Sequence, residues 1–206
     1  LGYARHTQQS ALPHITGLSV EREGEFIRMD AQTRRNLEVS ETLSGAESPT
    51  LLSLLDRCAT SMGSRRLRHW LHHPLRDTAV LRARQDAIAS LVDRDSKLRH
   101  AAVAQLFASW SDVERIASRI ALRTARPRDL AGLRDTLATL PALHAALLQS
   151  GEAGLVALAP DLAPAGDIHA LLTSAIKEEP AAVLREGGVI RDGHDAELDE
   201  LRAIQD

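Results

Sequence analysis

Apolar residues recur along most of the chain at steps of three and four, which is the spacing of one face of an α-helix. The clearest case predicts a helix whose stripe lies along a partner helix, and it consists of Leu130, Leu133, Leu137 and Leu140. Pro127 suits the start of this helix, and Pro141 is predicted to kink or interrupt it. Everything after Asp30 is predicted to be essentially helical.

The segment before Asp30 has a different pattern. In ITGLSVEREGEFIRMD (15–30), apolar residues are interleaved with polar ones around Gly24. This predicts a β-hairpin of two short strands that turns at Glu23-Gly24. Residues 1–12 are predicted to form a short helix ended by Pro13. The predicted fold class is mainly α, an irregular multi-helix bundle with a small β-hairpin near the N-terminus.

Capping residues predict where several helices begin. Ser48 before Pro49 has the pattern of an N-cap followed by proline at the first helical position. Asp77 or Thr78 can cap the next long helix. The sequence SDVE (111–114) predicts a capping box, in which a hydroxyl and a carboxylate each satisfy a free backbone N–H.

The C-terminal third is predicted from its glycines, prolines and acidic residues. Residues 150–166 are predicted to be a loop with a helical turn, and residues 168–179 a helix. The glycine-rich segment 187–193 favours a short strand or turn. A last helix is predicted from the segment 194–206, whose acidic cluster suits a solvated face near a helix start better than a divalent-metal site.

Composition and charge narrow the class of protein. Of 206 residues, 44% are apolar but only 2% aromatic, so a core of aliphatic side chains and alanine suits close helix packing. The net charge of −3 is distributed unevenly. Residues 57–84 hold seven arginines and one acid, whereas residues 150–206 hold twelve acids and four bases. This asymmetry of charge favours a segment that acts between other parts of a protein.

Cysteine use and apolar runs bear on the compartment. The single cysteine, Cys58, excludes an intrachain disulfide and favours a cytosolic setting, with the thiol packed as a small apolar group. The sequence contains no apolar run of about 18 residues and no signal-peptide pattern at its start. Because it does not begin with methionine, we expect it to be a piece of a longer chain.

The stretch GSRRLRHWLHHPLRD (63–77) leaves three interpretations open. We favour an amphipathic helix over Ser61–His72 with Arg65, Arg68 and His72 on its outer face. Its packing stripe is Gly63, Leu67, Trp70 and Leu71.

The second interpretation of this stretch is a metal site built on His69 with His72 or His73. Pro74 works against it, because the residue before proline avoids the α region and His73 is then predicted to leave the helix. The third is direct contact between the arginines and DNA phosphates. The sequence holds no phosphate-binding loop, no dinucleotide motif and no nucleophile elbow. We therefore predict no catalytic residue, metal site or cofactor site in this chain.

Four separated blocks occur in a fixed order along the chain: MDAQTRRNLEV (29–39), SLLDRCATSMGSRRLRHWLHHPLRD (53–77), IALRTARPRDL (120–130) and REGGVIRDGHDAELDEL (185–201). Together they resemble bacterial DNA mismatch-recognition proteins of the MutS family. The resemblance implies that residues 1–14 end a connector region and that residues 15–195 are the first segment of the core or lever domain. Residues 196–206 would then start the helix that leads to the clamp domain.

The resemblance also implies roles for particular residues. The stripe on 61–72 becomes a structural packing element, and His69 and His73 are not part of the expected pattern. Arg34 and Arg35 are expected to fix helix ends and to make interdomain or DNA-backbone contacts. The same candidate contacts include Arg65, Arg66 and Arg68.

Two functions follow from the resemblance and the charge pattern. The favoured one is a non-catalytic lever that couples an ATPase domain, with its ATP and Mg, to mismatch-binding and clamp regions outside this sequence. The expected partners are mismatched double-stranded DNA, a second MutS copy and downstream repair factors, with no membrane. The expected location is the bacterial cytoplasm, at the nucleoid. The alternative is a helical module that binds the DNA backbone through the basic segment 57–84.

Overall fold

The computed structural model of the chain describes residues 2–8, 17, 20, 23–93, 95 and 97–205, and it is mainly helical. The helices are α1 (Gly2–Gln8), α2 (Ala31–Asn36), α3 (Leu51–Leu55), α4 (Ser61–His72), α5 (Thr78–Val92), α6 (His100–Phe107), α7 (Val113–Ala121), α8 (Pro127–Ser150), α9 (Ala153–Val156), α10 (Gly166–Ala175) and α11 (Ala196–Gln205). The predicted mainly α fold class is therefore confirmed. Within the described residues, no helix is both long enough and apolar enough to cross a bilayer.

The chain divides into two compact units. The first unit is Leu1–Thr16, Ser109–Leu148 and Leu158–Asp206, so it holds α1, α7, α10, α11 and nearly all of α8. The second unit is Gly17–Ala108 and Gln149–Ala157, and it holds α2 to α6 and α9.

The core of the first unit is built along α8. The predicted leucine stripe is confirmed, since Leu133 and Leu140 are buried, and the stripe continues into buried Leu143 and Leu147. The helix begins at Pro127, as predicted, and runs through Pro141 without interruption. Pro141 is exposed, so the helical carbonyl that it leaves without a donor can be hydrated.

The predicted capping box at 111–114 is wrong. Asp112 is the N-cap of α7, and its carboxylate accepts a hydrogen bond from the backbone N–H of Arg115. Ser111 serves another purpose, because its backbone N–H donates to Thr136 Oγ1 at 3.0 Å. The α7 helix is therefore capped locally by Asp112, while Ser111 contacts a residue 25 positions away.

In the second unit, the N-cap predicted at Ser48 is also wrong, by two residues. The α3 helix starts at Leu51, and its N-cap is Thr50. The Thr50 hydroxyl accepts from the backbone N–H of Ser53, while the Ser53 hydroxyl accepts from that of Thr50, which completes a capping box there. The cap predicted for the next long helix is confirmed, since Asp77 accepts from two backbone N–H groups at the start of α5.

The predicted N-terminal hairpin is not supported. Residues Glu23–Glu25, where the turn was expected, form a short 3-10 helix, and most of the first predicted strand lies outside the described residues. Phe26 pairs instead with Leu75 in an isolated antiparallel bridge. Backbone hydrogen bonds from Ile27 to Pro74 and from Arg76 to Glu25 flank this bridge. The apolar residues of this segment thus find a partner far along the chain rather than next to them.

The glycine-rich segment 187–193 does form a short extended piece. Ile190 pairs with Ile176 in an isolated antiparallel bridge, and Lys177 donates to the carbonyl of Val189 at 2.9 Å. This pairing ends α10 at Ala175, four residues before its predicted end, because residues 176–178 are drawn into the extended partner. The last helix, α11, forms as predicted.

Candidate functional site

Helix α4 carries most of the residues singled out from the sequence, and its predicted bounds, Ser61–His72, are confirmed. The helix begins where the Thr60 hydroxyl accepts a hydrogen bond from the backbone N–H of Gly63 at 3.0 Å. It ends because His73, which precedes Pro74, has φ −129° and ψ 64° and so leaves the helical region, as predicted.

The structure places the predicted packing stripe of α4 at an interface that is only partly covered. Gly63, Leu67 and Leu71 are half-buried, and no residue of α4, all of which is described, is fully buried. Trp70 is 37% exposed, so it lies at the surface rather than in the core. The guanidinium carbons of Arg84 and Arg66 lie 4.1 Å and 5.6 Å from its ring centre. Cation–π contacts of this kind stabilise a tryptophan among arginines.

The turn before α4 packs against Gly63. A Cβ atom at this position would meet Cys58 Cβ and Thr60 Oγ1, each at 3.2 Å. Cys58 is nevertheless exposed, although its thiol was predicted to pack as a small apolar group. Partial desolvation of the thiol, and then the nearby Asp56 carboxylate, raise the pKa of Cys58, so the reactive thiolate is disfavoured.

The candidate contact arginines fall into two groups. Arg66 and Arg68 are exposed on α4, while Arg65 is half-buried. Arg34 and Arg35 lie in the last turn of α2, where their positive charges interact favourably with the negative end of the helix dipole. Arg35 donates from Nη2 to the carbonyl of Leu43 at 3.1 Å, so it fixes the loop that follows α2.

A cleft of about 410 Å³ joins the end of α2 to the end of α4. It is lined by Ala31, Arg34, Arg35, Ser40, Glu41 and His72. We call it the Arg34 cleft. Arg34 and His72 also border a second cleft of about 460 Å³, on the side of Phe26 and Met29. The two side chains therefore stand between two open clefts of the same unit.

The side chain of Arg34 carries a buried hydrogen-bond donor, Nε–H, that is left unpaired in the described part of the chain. Its Nε atom is inaccessible to solvent and has no hydrogen-bond partner among the described residues. Buried donors in proteins are almost always paired, so an unpaired guanidinium nitrogen is an unusual feature.

His72 faces the same cleft. Its Nε2 atom lies 2.8 Å from the hydroxyl of Ser40. Partial burial, followed by the positive charges of Arg34 and Arg68 and the nearby His73, lowers the pKa of His72. The ring is therefore held in its neutral form, and the surrounding charge is positive.

The other histidines of α4 are close to each other. The rings of His69 and His73 stack with their centres 4.5 Å apart, and His73 Nδ1 lies 3.1 Å from the carbonyl oxygen of His69. Throughout the described residues, no group of three or more His, Cys, Asp or Glu side chains could hold a metal ion. His69, His72 and His73 therefore lack the further ligands that a closed structural zinc site requires.

Sequence reasoning missed two arginines of the first unit. Arg134 is buried on α8, where its guanidinium donates to the carbonyls of Lys177 and Glu178 at 3.0 and 3.1 Å. Arg202 on α11 binds the carboxylate of Asp192 at 2.7 Å. The signal for Arg134 was present, because this charged residue lies beside the apolar stripe of α8. Arg202 also lies 3.4 Å from the carboxylate of Asp199, which belongs to the acidic cluster that was expected only to be solvated.

Comparison with known protein families decides the identity. A family model described as MutS domain III matches residues 32–206. The chain belongs to the MutS family. The match spans α3 to α11 and most of α2, including Arg34 and Arg35, and it covers all four blocks that carry the resemblance except the first three residues of the first block. This MutS domain is thus one of the domains of mismatch repair proteins, as its sequence indicated.

Proposed function

We propose that this MutS domain is a non-catalytic core or lever that couples an ATPase domain to the mismatch-binding and clamp regions of a longer protein. Coupling between distant sites requires packed elements that move as units, because a loose linker does not pass a change of conformation from one site to the other. The observation that carries the proposal is a continuous set of hydrogen bonds from α8 to α11 within the first unit.

The set begins at Arg134 on α8. Its guanidinium donates to the carbonyls of Lys177 and Glu178, in the segment that follows α10. Residues 175–177 are paired in turn with residues 189–191, through the Ile176–Ile190 bridge and the backbone hydrogen bonds on either side of it. We call these two segments the paired segments. They tie a buried residue of the longest helix to the chain just before α11.

The set ends at Arg202 on α11. Nη1 of Arg202 binds Asp192 at 2.7 Å, and Nη2 donates to the carbonyl of Ile190 at 3.0 Å. Asp199 adds a second attachment, because its carboxylate accepts from the backbone N–H of Gly193 at 2.7 Å. A force on α11 would therefore reach the paired segments, and through Arg134 it would reach α8, which is about 36 Å long.

In this proposal the domain itself performs no chemistry. ATP and Mg bind at the ATPase domain of the full protein, and the partners are mismatched duplex DNA, a second copy and downstream repair factors. The setting would be the bacterial cytoplasm. The 206-residue chain should therefore hydrolyse no ATP above the buffer rate, and a Mg-dependent rate in a clean preparation would count against the proposal.

The coupling itself is tested with Arg202→Met in the full protein. We expect ATP turnover without DNA to be unchanged, because the proposal places the ATP site in another domain. ATP-triggered release of mismatched DNA should slow, because α11 loses its attachment to the paired segments. Arg191→Met is the matched control, since Arg191 is an exposed arginine of one of the paired segments. If both variants release DNA like the parent, the proposed path through α11 is wrong.

The second candidate function is direct binding of the DNA backbone by the basic segment 57–84. The exposure of Arg66 and Arg68 on α4 favours it. Each phosphate contact would make the logarithm of the binding constant fall by about 0.9 per logarithmic unit of salt. Titration of the 206-residue chain with duplex DNA at several salt concentrations measures this slope. Failure to bind duplex at low salt would reject this candidate and leave the lever proposal untouched.

A further inference from the structure

We propose that the Arg34 cleft is a binding site for a phosphate-type oxyanion, held by Arg34, Arg35 and Ser40 beside His72. The lever proposal assigns no ligand to the second unit, so this inference goes beyond it. It also differs from the candidate DNA-binding segment 57–84, because its two arginines belong to α2 and only His72 comes from that segment.

The unpaired donor of Arg34 is the first argument. Its Nε atom is buried without a partner, and a buried guanidinium donor left unpaired destabilises the folded state. Glu41 lines the same cleft, but among the described residues no acceptor lies within hydrogen-bond distance of Arg34 Nε. Arg34 lines the cleft, so an oxyanion there would contact its terminal nitrogens, and a rotation of the side chain that exposed Nε would let the anion bind the flat guanidinium through two parallel hydrogen bonds and supply the missing acceptor.

The charge of the cleft is the second argument. Its lining contributes two guanidinium groups, Arg34 and Arg35, against one carboxylate, Glu41, which gives a net charge of +1 while His72 is neutral. After burial, the positive charge of Arg34 contributes most to the lowered pKa of His72, because it opposes protonation of the ring. An anion is therefore the ligand that this lining favours.

The arrangement of donors is the third argument, and it favours phosphate over a carboxylate. Arg35 uses one N–H on the carbonyl of Leu43, and an arginine has five N–H donors in total. The Ser40 hydroxyl lies 2.8 Å from His72 Nε2, so when the neutral ring donates to Ser40, the Ser40 O–H is free to donate to a ligand. Two guanidinium groups and one hydroxyl suit a tetrahedral group with several acceptor oxygens better than a planar one.

The size of the cleft bears on the source of the phosphate. A volume of about 410 Å³ is larger than one phosphate group needs, so the phosphate could belong to a larger molecule. A DNA backbone and a free phosphate or nucleotide share the relevant chemistry. The experiment below separates these two sources.

The probe is inorganic phosphate, titrated into the 206-residue chain and followed by the NMR signals of the arginine Nε–H groups. We expect a saturable shift of the Arg34 and Arg35 Nε–H signals at millimolar phosphate, and the Arg35 signal follows binding in the variant that lacks Arg34. Arg34→Met should weaken binding by at least about tenfold, because charged hydrogen bonds are lost. The matched control is Arg82→Met, since Arg82 is exposed on α5 in the same unit, and it should change affinity by less than about twofold.

A second variant protects the test against a folding defect in Arg34→Met. Ser40→Ala removes one hydroxyl from the cleft and should weaken phosphate binding severalfold while the far-ultraviolet circular dichroism is unchanged. The proposal is overturned if phosphate gives no saturable shift, or if Arg34→Met and Ser40→Ala both bind phosphate like the parent chain.

Competition with a short duplex oligonucleotide at low salt then identifies the source. If duplex displaces phosphate and Arg34→Met reduces the salt slope by about 0.9, the cleft binds a DNA phosphate. If phosphate binds but duplex does not displace it, the cleft binds a small phosphate compound, and the proposal still stands. If duplex binds with a salt slope that Arg34→Met leaves unchanged, and phosphate does not bind, the cleft proposal fails while the DNA-binding candidate survives.

Discussion

The two tryptophans of the chain lie in different units and in opposite surroundings. Trp110, in the first unit, donates from its indole nitrogen to Thr139 Oγ1 at 2.7 Å, next to α8 residues that are among the most buried of the chain. Trp70, in the second unit, is 37% exposed and lies against the guanidinium groups of Arg66 and Arg84. One indole is fixed by an internal hydrogen bond, and the other by surface cations.

This difference extends to the polar residues of the two units. Around α8, polar side chains such as Thr136 and Arg134 are buried and paired with nearby backbone, which fixes one arrangement of the helices. At α2 and α4, charged side chains line open clefts, and the buried Nε–H of Arg34 has no hydrogen-bond partner among the described residues. The first unit therefore pairs its buried polar groups internally, as the lever proposal requires, whereas the second unit presents charged groups at open clefts, as the anion-site proposal requires.

The largest effect is expected from Leu143→Ala in the first unit. Leu143 is 1% exposed, so its truncation leaves a cavity in the core and should lower the free energy of unfolding by about 3 kcal/mol. Urea unfolding of a Trp70→Phe background, followed by the fluorescence of Trp110, measures this change. Leu148→Ala is the control on the same helix, because Leu148 is 49% exposed.

The same measurement can contradict the distinction between the units. If Leu143→Ala costs no more than Leu148→Ala, the core along α8 is not as closely packed as its burial indicates. In a Trp110→Phe background, Trp70 fluorescence follows the second unit separately. A Leu143→Ala variant in which both tryptophans report the same lowered midpoint would show that the two units unfold together.

A smaller effect is expected from Arg134→Met. The variant keeps the aliphatic stem but removes the donors to the carbonyls of Lys177 and Glu178, and we expect a loss of about 2 kcal/mol. Arg128→Met, at an exposed position of the same helix, is the control. Amide hydrogen exchange of the paired segments should accelerate in Arg134→Met only. Unchanged exchange there would remove one link from the proposed coupling path.

Local features of the fold could be predicted from the sequence, because they depend on neighbours. The bounds of α4 follow from its apolar stripe and from Pro74, and the start of α5 follows from the capping carboxylate of Asp77. The stripe of α8 predicted its buried face. Each of these signals involves residues within one or two helical turns of one another.

Features that failed depend on residues far apart in sequence. Phe26 pairs with Leu75 rather than with a strand of its own hairpin, and Ser111 contacts Thr136 rather than capping α7. The backbone carbonyls that accept from Arg134 are 42 to 44 residues away. Periodicity and capping rules carry no information about such pairs.

The candidate site shows the same limit. The resemblance singled out Arg34 and Arg35, but their pairing with Ser40 and His72 in one cleft depends on how α2 meets α4. Trp70 was expected in the core because its helical position lies on the apolar stripe. It lies instead at the surface beside Arg66 and Arg84, and Arg84 belongs to the next helix, whose position the stripe does not specify.

The smallest expected effect is on the pH dependence of stability in the second unit. Burial and the charges of Arg34, Arg68 and His73 lower the pKa of His72 in the folded state, whereas an unfolded histidine titrates near about 6.5. The unfolded chain therefore takes up a proton first as the pH falls. This contribution to stability is complete above about pH 6.5 and is lost as the pH falls from there towards the lowered pKa.

His72→Gln removes this term, and the control is His100→Gln at an exposed position of α6. Between about pH 7.5 and about pH 5.5, the urea midpoint reported by Trp70 should fall less in His72→Gln than in the parent chain or in the control. The effect should be modest, because His72 is only partly buried and its charge is screened by solvent. Equal slopes in all three proteins would mean that the positive charge around the Arg34 cleft does not reach His72, and the second unit would then lose the electrostatic character that separates it from the first.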